Sequence, residues 1–471
     1  MIVFLSFLPI LSTVLALTCR IRPLQAALIG LGTTIVAIFP LSSRPPAELL
    51  LAVIGWAPVL TEVLLIVAGG LLLSQVLRFS GAQAAIAQWL VTRRGQGLAS
   101  VLLVVHGVTP FAEALTGFGI GVTVGIPLLL HFGLSRSKAA VVGLLGLCAV
   151  PWGSMGPGTL IAASMSGLPF QDLGLASAIL SIIPFVATGM IAGWLVRPDA
   201  YSLAMGAFSG FSLTVAVAVA NAIFGTAPAG AIGSLALIAM HLLSSKGGGT
   251  PLSQIGRRGV FAYAVLLGGV LAMGIGLKLI GGSGNLRFLA SPALWLFMAV
   301  LWFNRGRLHP EAGSAAWRSW CSVAPVTSAF ILLGVLMSVS GMAAQLAEWL
   351  AGSGQAYAFL SPFIAAAGGF ITGSNTGANA MLASTQAEIA RHLNANILWY
   401  MAAHNVAAAF LLMASPGKVE MAVQLAEVEP DRAAIQSGML KIAGIVTSLL
   451  ALVGGAMSIW WSRYCRSAAR G

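Results

Sequence analysis

The chain has 471 residues, of which 58% are hydrophobic and 8% are charged, whereas an average soluble domain carries about 25% charged residues. Its 24 Lys and Arg outnumber its 12 Asp and Glu and give a net charge of +12. So low a charge content excludes a water-soluble globule, because too little polar surface is present to cover one, and it favours a chain surrounded mostly by lipid.

Apolar segments follow one another along the whole chain. A helix that spans a bilayer needs roughly 20 mostly apolar residues. Some segments are too short to span and others too long for one simple span, so we predict about 11–14 transmembrane helices in an all-α polytopic membrane protein. The segments lie near residues 2–18, 24–40, 49–77, 97–116, 119–133, 138–165, 174–196, 202–222, 229–244, 258–281, 288–303, 322–350, 356–372, 375–390, 396–414 and 438–462.

The basic residues lie between these segments as short pairs, such as Arg20 with Arg22 and Arg93 with Arg94. Such pairs are typical of loops kept on the cytoplasmic side of a membrane. Because there is neither a basic run nor a soluble domain, no nucleic-acid partner is predicted. The four cysteines show no metal-ligand spacing, so no metal and no cofactor is predicted.

Two hydrophilic stretches, residues 244–258 and 305–319, interrupt the apolar pattern. Both are charged and rich in helix-breaking residues. They predict a first membrane half over residues 1–243, a connecting region with helices over 244–320, and a second membrane half over 321–471.

Clusters of Gly and Pro with hydroxyl residues interrupt the apolar segments twice in each half. Residues 113–121 read EALTGFGIG and residues 151–158 read PWGSMGPG, while residues 369–379 read GFITGSNTGAN and residues 414–417 read ASPG. Irregular backbone at membrane depth must line a cavity or be buried in protein, because lipid cannot satisfy its amides. Breaks at matching places in two halves indicate a transporter binding site, so the four are predicted to converge near the bilayer midplane.

The first break of the second half concentrates neutral hydrogen-bonding groups. A half-helix that starts near Thr376 would direct unpaired N–H groups at the break, which suits a carboxylate. The alternative is a tight turn of small residues that packs helices together. Binding is favoured, since an unpartnered Asn375 in hydrocarbon would be costly. The predicted substrate-binding residues are Thr372, Gly373, Ser374, Asn375, Thr376 and Asn379.

A few ionisable residues lie within apolar segments, where charge is expensive. Glu113 precedes the first break and is predicted to couple proton binding to substrate entry, with a structural hydrogen-bonding role as the alternative. His106 lies seven residues earlier on a similar helix face and is a candidate proton relay or a packing residue. Glu62 is a second buried acid with the same two interpretations. His404 and Asn405 are predicted to line the cavity.

Enzymatic signatures are missing from the sequence. It contains no HExxH, GxSxG or P-loop motif and no Cys/His metal spacing. An enzyme is therefore not predicted, and neither is an ATP-driven pump.

With these motifs in hand, the chain resembles the lactate permease family. A family motif like FLEGAAGFGAP is matched at Phe111, Glu113, Gly117, Phe118 and Gly119. A second, like FLTGSDTxxNA, is matched at Phe370, Thr372, Gly373, Ser374, Thr376, Asn379 and Ala380. Two further stretches match less specifically, at Gly153, Met155 and Gly156, and at Met413, Ser415 and Pro416.

The sequence also departs from the family pattern. Asn375 stands where the family has an acid, Ile120 and Gly121 replace Ala-Pro, and Leu412 replaces a lysine before Met413. These departures bear on the substrate and the coupling ion more than on the family.

The resemblance implies an importer of lactate, glycolate or a related 2-hydroxy monocarboxylate, usually with a proton. It also implies a multi-pass protein of the bacterial inner membrane, with two inverted repeats, broken helices and re-entrant hairpins, often as a homodimer. The anion would lie between the second-half break and the first-half residues Thr116, Gly117, Phe118 and Gly119.

Other functions stay open at this point. One alternative is a carrier of another anion, such as a dicarboxylate or sulfonate, with sodium as the coupling ion. The others are a passive anion channel and, with less support from the motifs, a membrane-embedded enzyme.

Overall fold

The computed structural model describes residues 2–41, 45–117, 119–243, 251–280, 286–306 and 309–468. These residues form helices and no β-strand, as their apolar composition predicts. The first 14 helices are α1 (Ile2–Thr18), α2 (Pro23–Leu41), α3 (Pro46–Ile54), α4 (Ala57–Phe79), α5 (Ala82–Arg94), α6 (Leu98–Leu103), α7 (Thr109–Thr116), α8 (Ile120–His131), α9 (Arg136–Leu145), α10 (Pro157–Ser166), α11 (Phe170–Leu180), α12 (Ile182–Val196), α13 (Ala200–Phe224) and α14 (Thr226–Leu243).

The second part of the chain is equally helical. A π-helical turn at Val104–Val108 joins α6 to α7, and a 3₁₀ segment at Gly146–Met155 follows α9. The remaining helices are α15 (Gln254–Leu279), α16 (Pro292–Asn304), α17 (Pro310–Val339), α18 (Met342–Ala351), α19 (Tyr357–Thr372), α20 (Asn375–His392), α21 (Ile397–Leu411), α22 (Pro416–Ala426) and α23 (Arg432–Ala468), with short 3₁₀ turns at Arg287–Ala290, Gly354–Ala356, Leu412–Ala414 and Glu429–Asp431.

Within the described ranges, 12 helices are long and apolar enough to cross a membrane. Large apolar side chains point outward from them, as on α13, where Phe208 is 55% exposed and Val219 is 51% exposed. Outward apolar faces of this kind fit a lipid surround. The predicted all-α polytopic membrane fold is therefore confirmed, whereas the inverted relation between the two halves stays a prediction.

The structure corrects some predicted boundaries. The stretch 305–319 was predicted as a break, but α17 begins at Pro310 and continues to Val339. Its first turns read PEAGSAAW, in which Pro stands at the start, Glu311 suits the positive end of the helix dipole, and Ala favours helix. The apolar segment 322–350 is divided at Ser340 and Gly341, where α18 begins.

The largest buried core joins the two parts of the chain. It includes Leu144, Ile161 and Leu173 from α9, α10 and α11, together with Met381 and Val406 from α20 and α21. In this core α10 packs against α20, and α11 packs against α21. The helix breaks of the two halves are brought together by this packing.

Candidate anion site between four helix breaks

The structure interrupts a helix at each of the four Gly- and Pro-containing clusters. In the first half, α7 ends at Thr116 and α8 begins at Ile120, after Gly117 and Gly119 in left-handed conformations. At the second break of this half, the 3₁₀ segment that follows α9 ends at Met155 and α10 begins at Pro157. The start of a helix exposes unpaired N–H groups and the positive end of its dipole.

The second half repeats this arrangement. Helix α19 ends before Gly373, and α20 starts at Asn375 with Ser374 as its cap, whose Oγ accepts a hydrogen bond from the Gly377 N–H at 3.1 Å. Helix α21 leads into the 3₁₀ turn Leu412–Ala414, after which α22 begins at Pro416.

Three of the breaks line one small cavity of about 60 Å³, and Leu412 and Lys418, on either side of the fourth, complete its lining. A single water needs roughly 10–15 Å³ of such space, so the cavity has room for a ligand of about four to six non-hydrogen atoms. Helix starts that converge on a small cavity form a site suited to an anion. Polar and charged residues that line it include Glu113, Ser154, Ser374, Asn375, Thr376 and Lys418.

Glu113 caps the start of α8. Its Oε1 accepts a hydrogen bond from the Gly119 N–H at 2.9 Å, and its Oε2 accepts from the Gly119 and Gly121 N–H groups at 3.0 and 3.1 Å. The side chain is buried, with 4% exposure. This geometry fits the structural alternative directly, while the predicted coupling role stays a prediction.

Lys418, in the first turn of α22, is half-buried and supplies a positive charge to the cavity. A Cβ atom on Gly119 would lie 2.6 Å from its Nζ, so the absence of a side chain at Gly119 lets the ammonium approach. Lys418 also interacts electrostatically with Glu113. A cation at a helix start opposes the dipole, which makes this position suited to a site that also receives an anion.

Three asparagines form a buried network beside the cavity. The Asn375 and Asn379 Nδ2 groups donate to Asn405 Oδ1 at 3.2 and 3.0 Å. Asn405 Nδ2 in turn donates to the hydroxyls of Thr159 and Ser177 at 3.0 and 3.1 Å. The network therefore ties α20 and α21 to α10 and α11, and of the three asparagines Asn375 lines the cavity.

Ser154 lies in a strained part of the first-half break. Ser154, Met155 and Gly156 have φ values of 47°, 62° and 79° in succession, a left-handed run that is unusual for side chains larger than Gly. The Ser154 side chain is 2% exposed and lines the cavity. Its Oγ has no hydrogen-bond partner among the residues that the structure describes.

The cavity thus includes several of the residues predicted from sequence. Gly117, Gly373, Ser374, Asn375 and Thr376 all line it. Gly119 borders Lys418, and Asn379 and Asn405 stand behind Asn375 in the amide network. Phe118 lies outside the described residues.

Two predicted threonines and one histidine point elsewhere. Thr116 Oγ1 donates to the Ala112 carbonyl at 2.5 Å, as a buried threonine in a helix commonly does. Thr372 Oγ1 donates to the Gly368 carbonyl at 2.8 Å, and Thr372 lines a neighbouring cavity of about 190 Å³ that shares Gly373 and Ser374 with the candidate site. His404 is fully buried in α21 and is not part of the cavity lining.

The other predicted coupling residues lie apart from the cavity. His106 Nδ1 is 2.8 Å from Ser209 Oγ, and its Nε2 is 3.2 Å from Thr188 Oγ1, so both ring nitrogens have partners between helices. Glu62 Oε1 accepts from Ser291 Oγ at 3.1 Å and lines a cavity of about 800 Å³. The structure brings neither residue to Glu113, and their coupling roles stay predictions.

Sequence reasoning missed Ser154 and Lys418. Both fall inside or directly after clusters that it had identified, PWGSMGPG and ASPG, so a signal for them was present. The family motif has a lysine before Met413, where this chain has Leu412. The lysine of this chain, Lys418, instead follows Pro416.

Comparisons with known proteins find similarity to lactate and glycolate permeases. The sequence profile of the L-lactate permease family matches residues 279–453. An L-lactate permease of Streptococcus iniae is 26% identical over 447 residues, which cover 85% of this chain and 93% of that protein. An L-lactate permease of Escherichia coli K12 is 34% identical over 125 residues, covering 25% of this chain and 23% of that protein. The glycolate permease GlcA of the same strain is 32% identical over 127 residues, with 26% and 23% covered.

The helical membrane fold and these similarities define a multi-pass membrane transport protein of the bacterial inner membrane. Within that class, the chain is similar to the L-lactate permease family.

Proposed function

We propose that this protein is a secondary carrier of lactate, glycolate or a related 2-hydroxy monocarboxylate, driven by proton symport. The observation that carries the proposal is the cavity where the four helix breaks meet, with Lys418 as a positive charge in its lining. The printed names of the relatives, L-lactate permease and glycolate permease, indicate the same substrate class.

The size and charge of the cavity favour a small monoanion. A space of about 60 Å³ suits a ligand of about four to six non-hydrogen atoms, a range that includes glycolate and lactate. Helix starts and one ammonium offer enough positive potential for one carboxylate. A second carboxylate would require another partner at membrane depth, since an unpaired buried charge is expensive.

Charge balance provides the reason for proton coupling. Without substrate, the charges of Glu113 and Lys418 offset each other beside the cavity. An entering monocarboxylate would leave an excess negative charge, and a proton on Glu113 would restore neutrality. Substrate and proton then stabilise each other's binding, because linkage between two bound species is reciprocal.

Counterflow in proteoliposomes tests this function. Vesicles that contain the purified protein and are loaded with unlabelled L-lactate should take up labelled L-lactate transiently and saturably. Glycolate should compete, whereas succinate and a small sulfonate should not. An inward proton gradient should drive accumulation, and a sodium gradient alone should not.

Other outcomes would favour the alternatives. Competition by succinate or sulfonate, or accumulation driven by sodium, would indicate a carrier of another anion. Flux that does not saturate and shows no counterflow would indicate a passive channel.

Replacing Asn375 with Leu should weaken lactate binding by about 1–3 kcal/mol, the usual cost of an unpaired buried polar partner. The fold should survive, because Asn379 and Asn405 keep their mutual hydrogen bond of 3.0 Å. Binding isotherms on the purified variant measure the effect. Asn304→Leu is the matched control, since Asn304 lies outside the cavity lining and donates to the Val300 carbonyl at the end of α16. Unchanged affinity in folded Asn375→Leu would exclude Asn375 from the site.

A further inference from the structure

The cavity contains one buried hydroxyl and one ammonium that the sequence motifs did not assign. We infer that Lys418 binds the substrate carboxylate and that Ser154 binds its 2-hydroxyl group, so that these two residues determine specificity for 2-hydroxy acids. This inference rests on the proposed function and adds to it the groups that recognise each end of the substrate.

Ser154 is held where its hydroxyl has few directions available. A Cβ atom on Gly117 would lie 2.6 Å from Ser154 Cβ, and one on Gly70 would lie 2.7 Å from Ser154 Oγ. The residue is therefore enclosed on two sides by backbone without side chains, and it lines the cavity on another. A buried hydroxyl without a partner in the described structure requires an explanation, and a ligand hydroxyl in the cavity provides one.

The backbone at Ser154 supports the same role. Left-handed conformations at non-glycine residues persist where the surrounding structure imposes them, and they cluster at ligand sites. Here the conformation, with φ of 47°, belongs to the break that ends at the start of α10. Glycine would adopt this conformation more easily, and Gly153 and Gly156 stand close by in the same break, yet position 154 is a serine.

Lys418 is the group suited to the carboxylate. It comes from the second-half break and lies next to Gly119 and Glu113, which belong to the first-half break. An ammonium is a compact positive charge with three N–H donors, and it binds the carboxylate that 2-hydroxy acids and simple acids share. It therefore does not distinguish between the two kinds of acid. Discrimination must come from a neutral group, and a serine hydroxyl can both donate to and accept from a substrate hydroxyl.

This division of roles predicts different effects on lactate and on propionate, which lacks the hydroxyl group. A site built to hydrogen-bond a substrate hydroxyl rejects the analogue without it. The wild-type protein should therefore bind lactate more tightly than propionate. Removal of the Ser154 hydroxyl should weaken lactate only, whereas removal of the Lys418 charge should weaken both acids.

The experiment measures dissociation constants of L-lactate and propionate for the purified full-length protein in nanodiscs at one pH. Ser154→Ala should raise the dissociation constant of lactate about tenfold, which is the scale of one lost hydrogen bond. The dissociation constant of propionate should stay unchanged. Lys418→Met should raise both constants about 100-fold or more, and Lys418→Arg should recover part of that loss. Ser384→Ala is the control, because Ser384 is a buried serine of α20 that also lacks a partner among the described residues and lies outside the cavity.

If Ser154→Ala or Lys418→Met does not fold, a second variant at each position replaces it in the test. Ser154→Gly removes the hydroxyl and suits the left-handed backbone, and Glu113→Gln combined with Lys418→Met avoids an unbalanced buried carboxylate. Equal effects of the Ser154 variants on both acids, or unchanged lactate binding by the variants that carry Lys418→Met, would overturn the inference. A wild-type protein that neither binds nor exchanges lactate would instead refute the proposed function.

Discussion

The Glu113→Gln variant is expected to exchange lactate across proteoliposome membranes but to lose proton-driven accumulation. Glutamine imitates the neutral acid, and its oxygen can still accept from the Gly119 and Gly121 N–H groups that Glu113 Oε2 bonds at 3.0 and 3.1 Å. The start of α8 should therefore stay capped. Without a group that changes charge, substrate and proton binding are no longer linked.

Two assays on one preparation measure this effect. Counterflow at equal pH reports exchange, and uptake under an inward proton gradient reports coupling. A carrier that moves one proton with each monoanion gains about 1.4 kcal/mol per pH unit, which corresponds to about tenfold accumulation. The wild type should approach that ratio, and Glu113→Gln should reach no accumulation.

Glu388→Gln is the matched control for this prediction. Glu388 pairs with Arg391 near the end of α20, both partners are partly exposed, and neither lines the cavity. This control should keep both exchange and accumulation. If Glu113→Gln also accumulates lactate against its gradient, Glu113 serves only as the cap of α8, and the coupling proton binds elsewhere.

The fold class could be predicted because lipid imposes strict demands on sequence. Long apolar segments must be helical to satisfy their amides, and the interruptions by Gly and Pro must be shielded. Boundaries were less predictable at places such as 305–319, where a polar stretch is the beginning of α17. Hydropathy indicates whether a segment lies in lipid or in water. A helix can extend from lipid into water, so a polar stretch does not mark the end of the helix.

The site was predictable only in part. Ser374, Asn375 and Thr376 stand out in an apolar segment because few polar residues occur there, and they line the cavity. Lys418 is one of 24 basic residues, most of which are explained by loops, and only the packing of α22 against α8 brings it beside Glu113. Ser154 depends on a backbone twist that no side-chain pattern specifies.

Gly369 lies at a helix contact that supports the site, and its replacement by Ala is expected to destabilise the protein. A Cβ atom on Gly369 would lie 1.9 Å from the Ala408 carbonyl oxygen and 2.8 Å from its carbon. Both atoms belong to backbone, so α19 and α21 would have to separate. Overpacking of this kind costs about 1–3 kcal/mol. Since α19 leads to Gly373 and α21 leads to Leu412, the shift should also reduce lactate binding.

Thermal unfolding of the purified protein, with and without lactate, measures both consequences. Gly369→Ala should lower the Tm by several degrees, and lactate should raise it less than in the wild type, because ligand stabilisation follows affinity. Gly444→Ala is the control, since a Cβ atom there meets nothing within 4 Å. Alanine is also the better helix former, so the control should match or exceed the wild-type Tm. A Gly369→Ala protein as stable as the control would show that α19 and α21 can separate at little cost, and that the breaks do not depend on their close contact.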